Sequence, residues 1–322
     1  MMKMAESIYR KNFVHRYDDA GYLHYFSAKD FPGLRDEHCG FYSGENRLSA
    51  HLYSREDSRE EILVVFCHGI GGGHRSYLQE IHQLTLRGFP VFAYDNTGCF
   101  DSEGESIRCA CQSLADLDSA LKYLKREGIF RRYRKVSVVG HSWGGYAAGC
   151  IPLYHTDIDS VIDISGLYSV RQLLEDNVGG VKDPVRRIIL RRLCAFEQQA
   201  APIYYDASVL KAVDAGGARF LLTQSTDDPS VNFEHAVGRV QAETRNREAV
   251  FWIFHDRLHN PNYTPDAASY LAQTFGAFNA AVKAGRCGTL EEKQRFFADV
   301  DWVRMTRQDE AFWDRAAEFL RG

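Results

Sequence analysis

The stretch VSVVGHSWGGYAAG, residues 136–149, decides how the rest of the chain is read. Small and β-branched apolar residues lead into it, and small residues leave it. A buried strand therefore ends and a closely packed helix begins, with only a sharp turn between them. In that turn Gly140-His141-Ser142-Trp143-Gly144 is a G-x-S-x-G pattern. A serine on a strained strand-to-helix turn holds its hydroxyl above the sheet edge. Glycines two residues before and after remove contacts that a Cβ would make, and the helix aims the positive end of its dipole at the same place. The five-residue pattern alone recurs by chance; the strand and helix around it make it specific.

Working outward, apolar runs alternate with helix-like stretches. Residues 36–44 and 46–54 are strand-like runs about a Gly-Glu-Asn turn, a hairpin signal. EILVVFCHG, residues 61–69, is an unbroken apolar run, as a strand buried on both faces requires. Residues 75–88 read as a helix ending at Gly88, and 89–98 as the next strand. In 113–128, Leu114, Leu117, Leu121 and Leu124 recur at helical spacing, with Ser113 placed to cap the start and Gly128 to end it. Residues 135–140, 160–165, 218–225 and 249–254 are further strands, with a helix over 233–246 between the last two. Residues 1–30 have no clear period and read as an arm packed on the domain. The alternation predicts an α/β fold, a mostly parallel sheet with helices on both faces. Ligands of such sheets bind beyond the carboxyl ends of the strands.

A serine hydroxyl is a poor nucleophile at neutral pH and needs a base, which needs an orienting acid. On a strand–elbow–helix scaffold these follow in the order Ser, Asp or Glu, His. Asp227 and Asp228 come just after the strand at 218–225, and His255 and His259 after the strand at 249–254. Acyl transfer also needs donors for the developing oxyanion. One is the backbone N–H of Trp143. The other belongs in HGIGGGH, residues 68–74, where Ile70 or Gly71 would turn its N–H inward. That glycine run is not a dinucleotide fingerprint, because His74 occupies the last glycine position, nor a Walker A loop, because no Gly-Lys-Ser/Thr follows. His68 and His74 lack a third metal ligand, so His68 reads as a structural residue of its loop.

Composition narrows the function further. The chain has 322 residues, 45% hydrophobic and 25% charged, enough to bury a sizeable core. A formal charge of −4 gives no reason to expect nucleic acid as a partner. No signal-like N-terminus and no apolar run of membrane-spanning length is evident, so a cytoplasmic location is expected. The eight cysteines are scattered without a CxxC pair and read as free thiols.

With these residues in view, the chain resembles the α/β-hydrolase superfamily, particularly its serine aminopeptidase/monoacylglycerol lipase-like and cinnamoyl-esterase-like branch. HGIGG, YDNTGCFDSEG, GHSWGG, DDPSV and HNP fall where that family places its loops, over residues 36 to 262. The resemblance implies a Ser-Asp-His hydrolase without metal or organic cofactor. By motif position Ser142 matches the nucleophile, Asp228 the acid, His259 the base, and Ile70 and Trp143 the oxyanion donors. His255 sits at a strand terminus, whereas His259 has the loop length to reach sideways to Ser142. Two departures stand out: DNTGCFDS, residues 95–102, lacks the family's arginine and second glycine, and TQSTDD lacks the usual glycine before the acid.

Residues 167–205 are expected to be a small helical cap inserted in a single domain spanning 1–322. Within it Asp183 is placed to cap a helix with Pro184 at its first position. Val185, Ile188, Ile189, Leu193 and Phe196 would form its apolar face, and Arg186, Arg187, Arg191 and Arg192 a basic one. Residues 263–322 are a C-terminal helical extension, with helices at 264–285, capped by Thr264, and 308–320. The leading expectation is a serine hydrolase, carboxylesterase- or lipase-like, acting on a small or medium acyl or aryl ester. An aminopeptidase or amide hydrolase would use the same triad. A non-catalytic ligand-binding protein on this fold is the alternative from another class.

Overall fold

The computed structural model describes residues 2–56, 58 and 61–322. The chain begins with α1 (Met2–Phe13), then the hairpin β1 (Leu34–Ser43) and β2 (Asn46–Arg55). Ser43 pairs with Asn46 across the two-residue loop Gly44-Glu45, where Gly44 takes φ +59. Next come β3 (Ile62–Cys67), α2 (Leu78–Leu86), β4 (Val91–Tyr94), α3 (Gln112–Arg126), β5 (Lys135–His141), α4 (Trp143–Cys150) and β6 (Ser160–Ile164). Three helices follow, α5 (Val170–Asn177), α6 (Val185–Ala200) and α7 (Val209–Ala215). The sheet closes with β7 (Arg219–Ser225), α8 (Val237–Glu243) and β8 (Val250–Phe254). The C-terminal part is α9 (Pro265–Lys283), α10 (Leu290–Phe297), α11 (Trp302–Met305) and α12 (Glu310–Arg321).

The eight strands form one sheet in the order β1-β2-β4-β3-β5-β6-β7-β8. β2 pairs antiparallel with β1 and β4, and every pair from β4 to β8 is parallel. The chain leaves β3 to lay β4 on one side and returns to lay β5 on the other. Loops leaving β3 and β5 therefore diverge at a topological switch point, where such sheets open a crevice. All six residues of β3 are buried, which explains its unbroken apolar run.

Several expectations change in the fold. Residues 1–30 are not only an arm: α1 packs on α6, where Tyr9 meets Phe196 and Glu197, and Ala5, Tyr9 and Phe13 form one buried face at i, i+4 spacing. Ser113 does not cap α3, whose N-cap is Cys111; its hydroxyl donates to the Trp143 carbonyl at 3.2 Å. The helix over 233–246 is a 3-10 turn, Phe233–His235, followed by α8. Only Val91–Tyr94 of 89–98 is strand.

In α6 Pro184 is the N-cap, with no side-chain cap, and Asp183 instead pairs with Arg186 and Arg187 at 3.7 and 3.6 Å. Ile189 and Leu193 are buried, but Val185 and Ile188 are exposed, and Glu197 is buried in their place. Thr264 caps α9, accepting from the Ala267 N–H at 3.2 Å. Phe312, Trp313 and Leu320 of α12 pack under the sheet, while Phe278 of α9 and Phe297 of α10 form a separate small cluster. Among the described residues no helix is long and apolar enough to cross a membrane.

Candidate active site

Ser142 lies between β5 and α4 with φ 57 and ψ −116, a conformation rare for a residue with a Cβ. Its N–H donates to the Ile164 carbonyl at 2.8 Å, which ties the elbow to β6. A Cβ on Gly140 would sit 2.1 Å from the Gly144 carbonyl oxygen, and one on Gly144 2.1 Å from that of Cys67. Both clashes are with backbone, so the turn closes only with glycine at these two places. Trp143 opens α4, where the first N–H groups have no partner within the helix. Its indole Nε1 donates to the Ala110 carbonyl at 2.5 Å.

The two carboxylates after β7 have different partners. Asp228 Oδ2 accepts from His259 Nδ1 at 2.8 Å and from Gln224 Nε2 at 3.1 Å, while Oδ1 accepts the N–H groups of Ser230 and Val231 at 2.8 and 3.0 Å. Burial opposes ionisation of Asp228, but the His259 hydrogen bond and charge and the two backbone donors outweigh it. The carboxyl is held below its ordinary range. Asp227 is exposed and accepts from the Ser225 hydroxyl and, at 3.2 Å, from the N–H of Leu258, itself at φ 50. His255 is exposed and bonded to the Thr226 hydroxyl at 3.0 Å. His259 instead lines one cavity with Ser142, of about 450 Å³. No hydrogen bond joins their side chains in this structure; such bonds commonly tighten only when substrate is bound.

The loop after β3 supplies the facing side. A Cβ on Gly69 would lie 2.5 Å from the Tyr77 hydroxyl and 3.3 Å from Ser142 Cβ, so glycine lets this backbone approach the serine. Gly71 takes φ +79, and Ile70 projects an exposed side chain. His68 donates from Nδ1 to the Gly69 carbonyl at 2.8 Å and accepts the Asn96 N–H on Nε2 at 2.9 Å. Buried and bonded at both nitrogens, it holds its loop. His74 is bonded to Asp95 through its ring and its N–H, at 2.8 and 2.7 Å.

One feature was not read from the sequence. His141 is buried, and its Nε2 donates to the His259 carbonyl at 2.9 Å. Its Nδ1 must then accept, and the Tyr77 hydroxyl donates to it at 2.9 Å. Burial, and then the charge of His259, pushes the His141 pKa down to about 3, so the ring stays neutral. Tyr77 and His141 thus connect the Gly69 turn to the backbone of His259. Tyr77→Phe would strand the buried His141 Nδ1 and release the His259 loop. At about 1–2 kcal/mol this is about tenfold in turnover. Steady-state kinetics should show the loss in kcat with KM nearly unchanged; a melting shift without a kcat change would mean the contact is structural only.

A mainly parallel sheet with a serine on the elbow after its fifth strand, and Asp and His on two later loops, is the α/β-hydrolase architecture. The chain belongs to the alpha/beta hydrolase family, whose model matches residues 64–321. No curated protein matches the sequence. Among solved structures it is similar to an esterase of Pyrococcus furiosus at TM-score 0.61 and 15% identity, covering 96% of this chain and 97% of that one. An acylaminoacyl peptidase of Pyrococcus horikoshii is similar at TM-score 0.54 and 14% identity, over 79% of this chain and 42% of that one. A Butyrivibrio proteoclasticus protein with ferulic acid bound is similar at TM-score 0.52 and 15% identity, over 76% and 99%. At these identities the likeness is one of fold.

Proposed function

We propose that this protein is a serine hydrolase that cleaves carboxylic esters of small or medium acyl or aryl groups through an acyl-enzyme. Ser142 is the nucleophile, His259 the general base and then acid, and Asp228 the residue that orients the imidazole and stabilises its charged form. The backbone N–H groups of Ile70 and Trp143 receive the developing oxyanion. The observation that carries this reading is the shared cavity: a serine in a strained elbow faces a histidine whose far nitrogen is held by a carboxylate at 2.8 Å. Residues 167–205 act as the cap and 263–322 as an extension of the same domain.

Attack of Ser142 Oγ on the ester carbonyl transfers its proton to His259 Nε2. That proton then goes to the departing alkoxide as the carbonyl re-forms. Water, deprotonated by the same nitrogen, releases the acid and restores the serine. An amide would follow the same steps. The feature that favours this second reading is a neighbouring groove of about 890 Å³, whose walls carry Glu175, Asp176 and Glu234, with Arg186 and His235 offsetting part of that charge. The groove meets the Ser142 cavity at Ser230 and could take an ammonium group. Neutral p-nitrophenyl esters and aminoacyl p-nitroanilides, assayed side by side, separate the two. The ester reading expects kcat/KM at least about a hundredfold higher for the best ester; the opposite order would establish the peptidase reading.

A further inference from the structure

The cavity over Ser142 is walled on one side by residues that precede the family match, which begins at residue 64. Asn12, Phe13 and Tyr17 line it. Phe13, 3% exposed, ends α1. Tyr17 is fixed through its main chain: its N–H donates to the Gly98 carbonyl at 2.9 Å, and its carbonyl accepts the Phe100 N–H at 2.8 Å. Its ring lies 3.4 Å from where a Cβ on Gly71 would be, so it packs on the glycine turn after β3.

This wall is anchored to the site. The Tyr9 hydroxyl of α1 donates to Glu197 Oε1 of α6 at 3.0 Å. The same carboxylate accepts the N–H groups of Ala110 and Cys111 at 2.6 and 3.3 Å. The Ala110 carbonyl in turn accepts the Trp143 indole N–H. A continuous buried hydrogen-bond chain thus runs from α1 to the residue that opens α4. Leu167, Leu173 and Val231 also line the cavity, and among the described residues its lining contains no Asp, Glu, Lys or Arg.

We infer that Phe13 and Tyr17 determine acyl specificity, and that the site takes an uncharged aliphatic or aryl acyl group and rejects one bearing a carboxylate or free amine. An aromatic and aliphatic lining rewards apolar area. Its polar side chains, Asn12, Asn177 and Ser230 among them, are neutral, so a buried carboxylate or ammonium meets no Asp, Glu, Lys or Arg there and its desolvation is only partly offset. The inference rests on the proposed ester hydrolysis at Ser142.

The test compares kcat/KM for p-nitrophenyl octanoate, butanoate and hemisuccinate in the full chain, in Phe13→Ala, Phe13→Trp and Tyr17→Ala, and in Tyr9→Phe. A space change of one or more methylenes in an apolar pocket is read as about tenfold or more. Phe13→Ala and Tyr17→Ala should raise the octanoate-to-butanoate ratio by about tenfold, and Phe13→Trp should lower it by about as much. Tyr9→Phe, which only loosens the wall, should move the ratio by less. Wild type should use hemisuccinate about a hundredfold less well than butanoate. If Phe13→Ala does not fold, Phe13→Trp and Tyr17→Ala decide. Ratios within twofold of wild type in these variants, or hemisuccinate used as well as butanoate, overturn the inference while leaving the ester reading intact. A wild-type protein that neither turns over butanoate nor is labelled at Ser142 by a fluorophosphonate overturns both.

Discussion

Ser142→Ala is expected to lose about 10⁵–10⁶ in ester turnover and all labelling by a fluorophosphonate, while melting close to wild type. The rate loss is large because the hydroxyl supplies the bond-forming atom and Ser142 alone sits on the strained elbow at φ 57 between β5 and α4. The stability change is small, within about 0.5 kcal/mol, because the substitution removes one oxygen from a partly exposed turn. The strain at φ 57 remains with alanine, since the Cβ remains. Intact mass before and after the probe, with a peptide map, locates the adduct. A folded Ser142→Ala protein with wild-type turnover would sink the serine-hydrolase reading.

Asp228→Asn is expected to cost about 10⁴ in turnover, and Asp227→Asn less than about tenfold. In Asp228 both oxygens accept, one from the loop N–H groups and one from His259 Nδ1 and Gln224. An asparagine has one accepting oxygen. If that oxygen keeps the loop, its NH₂ faces the His259 ring and Gln224 Nε2, which is a donor. The imidazole then turns to the tautomer with the proton on Nε2, where it cannot take one from Ser142. Asp227 accepts hydrogen bonds from Ser225 of its own turn and from the Leu258 N–H, not from the His259 ring, so its replacement loosens the base loop without changing the tautomer. Kinetics on folded variants gives the ranking, and its reversal would exchange the roles of the two aspartates.

Asp228 also leaves a mark on stability. Its folded pKa is depressed below the unfolded value of 3.8, so its contribution is present above that pH and is lost as pH falls through the folded value. Wild type should lose this part of its acid stability below about pH 4, and Asp228→Asn should lack that dependence.

The elements legible in the sequence are those whose signal is local. β3 reads as a buried strand because a strand covered on both faces must be apolar at every position, and β5 because its valines leave only the small Ser137 between them before the glycine turn. The elbow was legible because Gly140, Ser142 and Gly144 answer a steric demand within five residues, with Cβ clashes of 2.1 Å at either glycine. The order Ser, Asp, His followed from the sequence of strand ends. Choosing Asp228 over Asp227 needed family resemblance, because neighbouring residues of one loop share the same local pattern, whereas His259 is favoured over His255 also by the loop length it has to reach Ser142. Only the tertiary structure distinguishes their partners.

Other features belong to the tertiary structure alone, because they depend on what a face meets rather than on what it is made of. Val185 and Ile188 stay partly exposed on α6 while Glu197 is buried, since Tyr9 and the N–H groups of Ala110 and Cys111 satisfy the carboxylate. Ala5, Tyr9 and Phe13 are spaced for a helix face, but what that face packs against, α6, lies far along the chain. His141 reads as the variable position of a pentapeptide; its role arises from Tyr77 and His259, 64 residues before and 118 after it. What the sequence by itself determined is the sheet, the elbow and the order of its companions, because each is set by sterics and burial within a short stretch. The walls of the cavity and the anchors that hold them were decided only when segments far apart in sequence came into hydrogen-bonding and packing contact, from Ala110 and Trp143 at a separation of 33 to Tyr9 and Glu197 at 188.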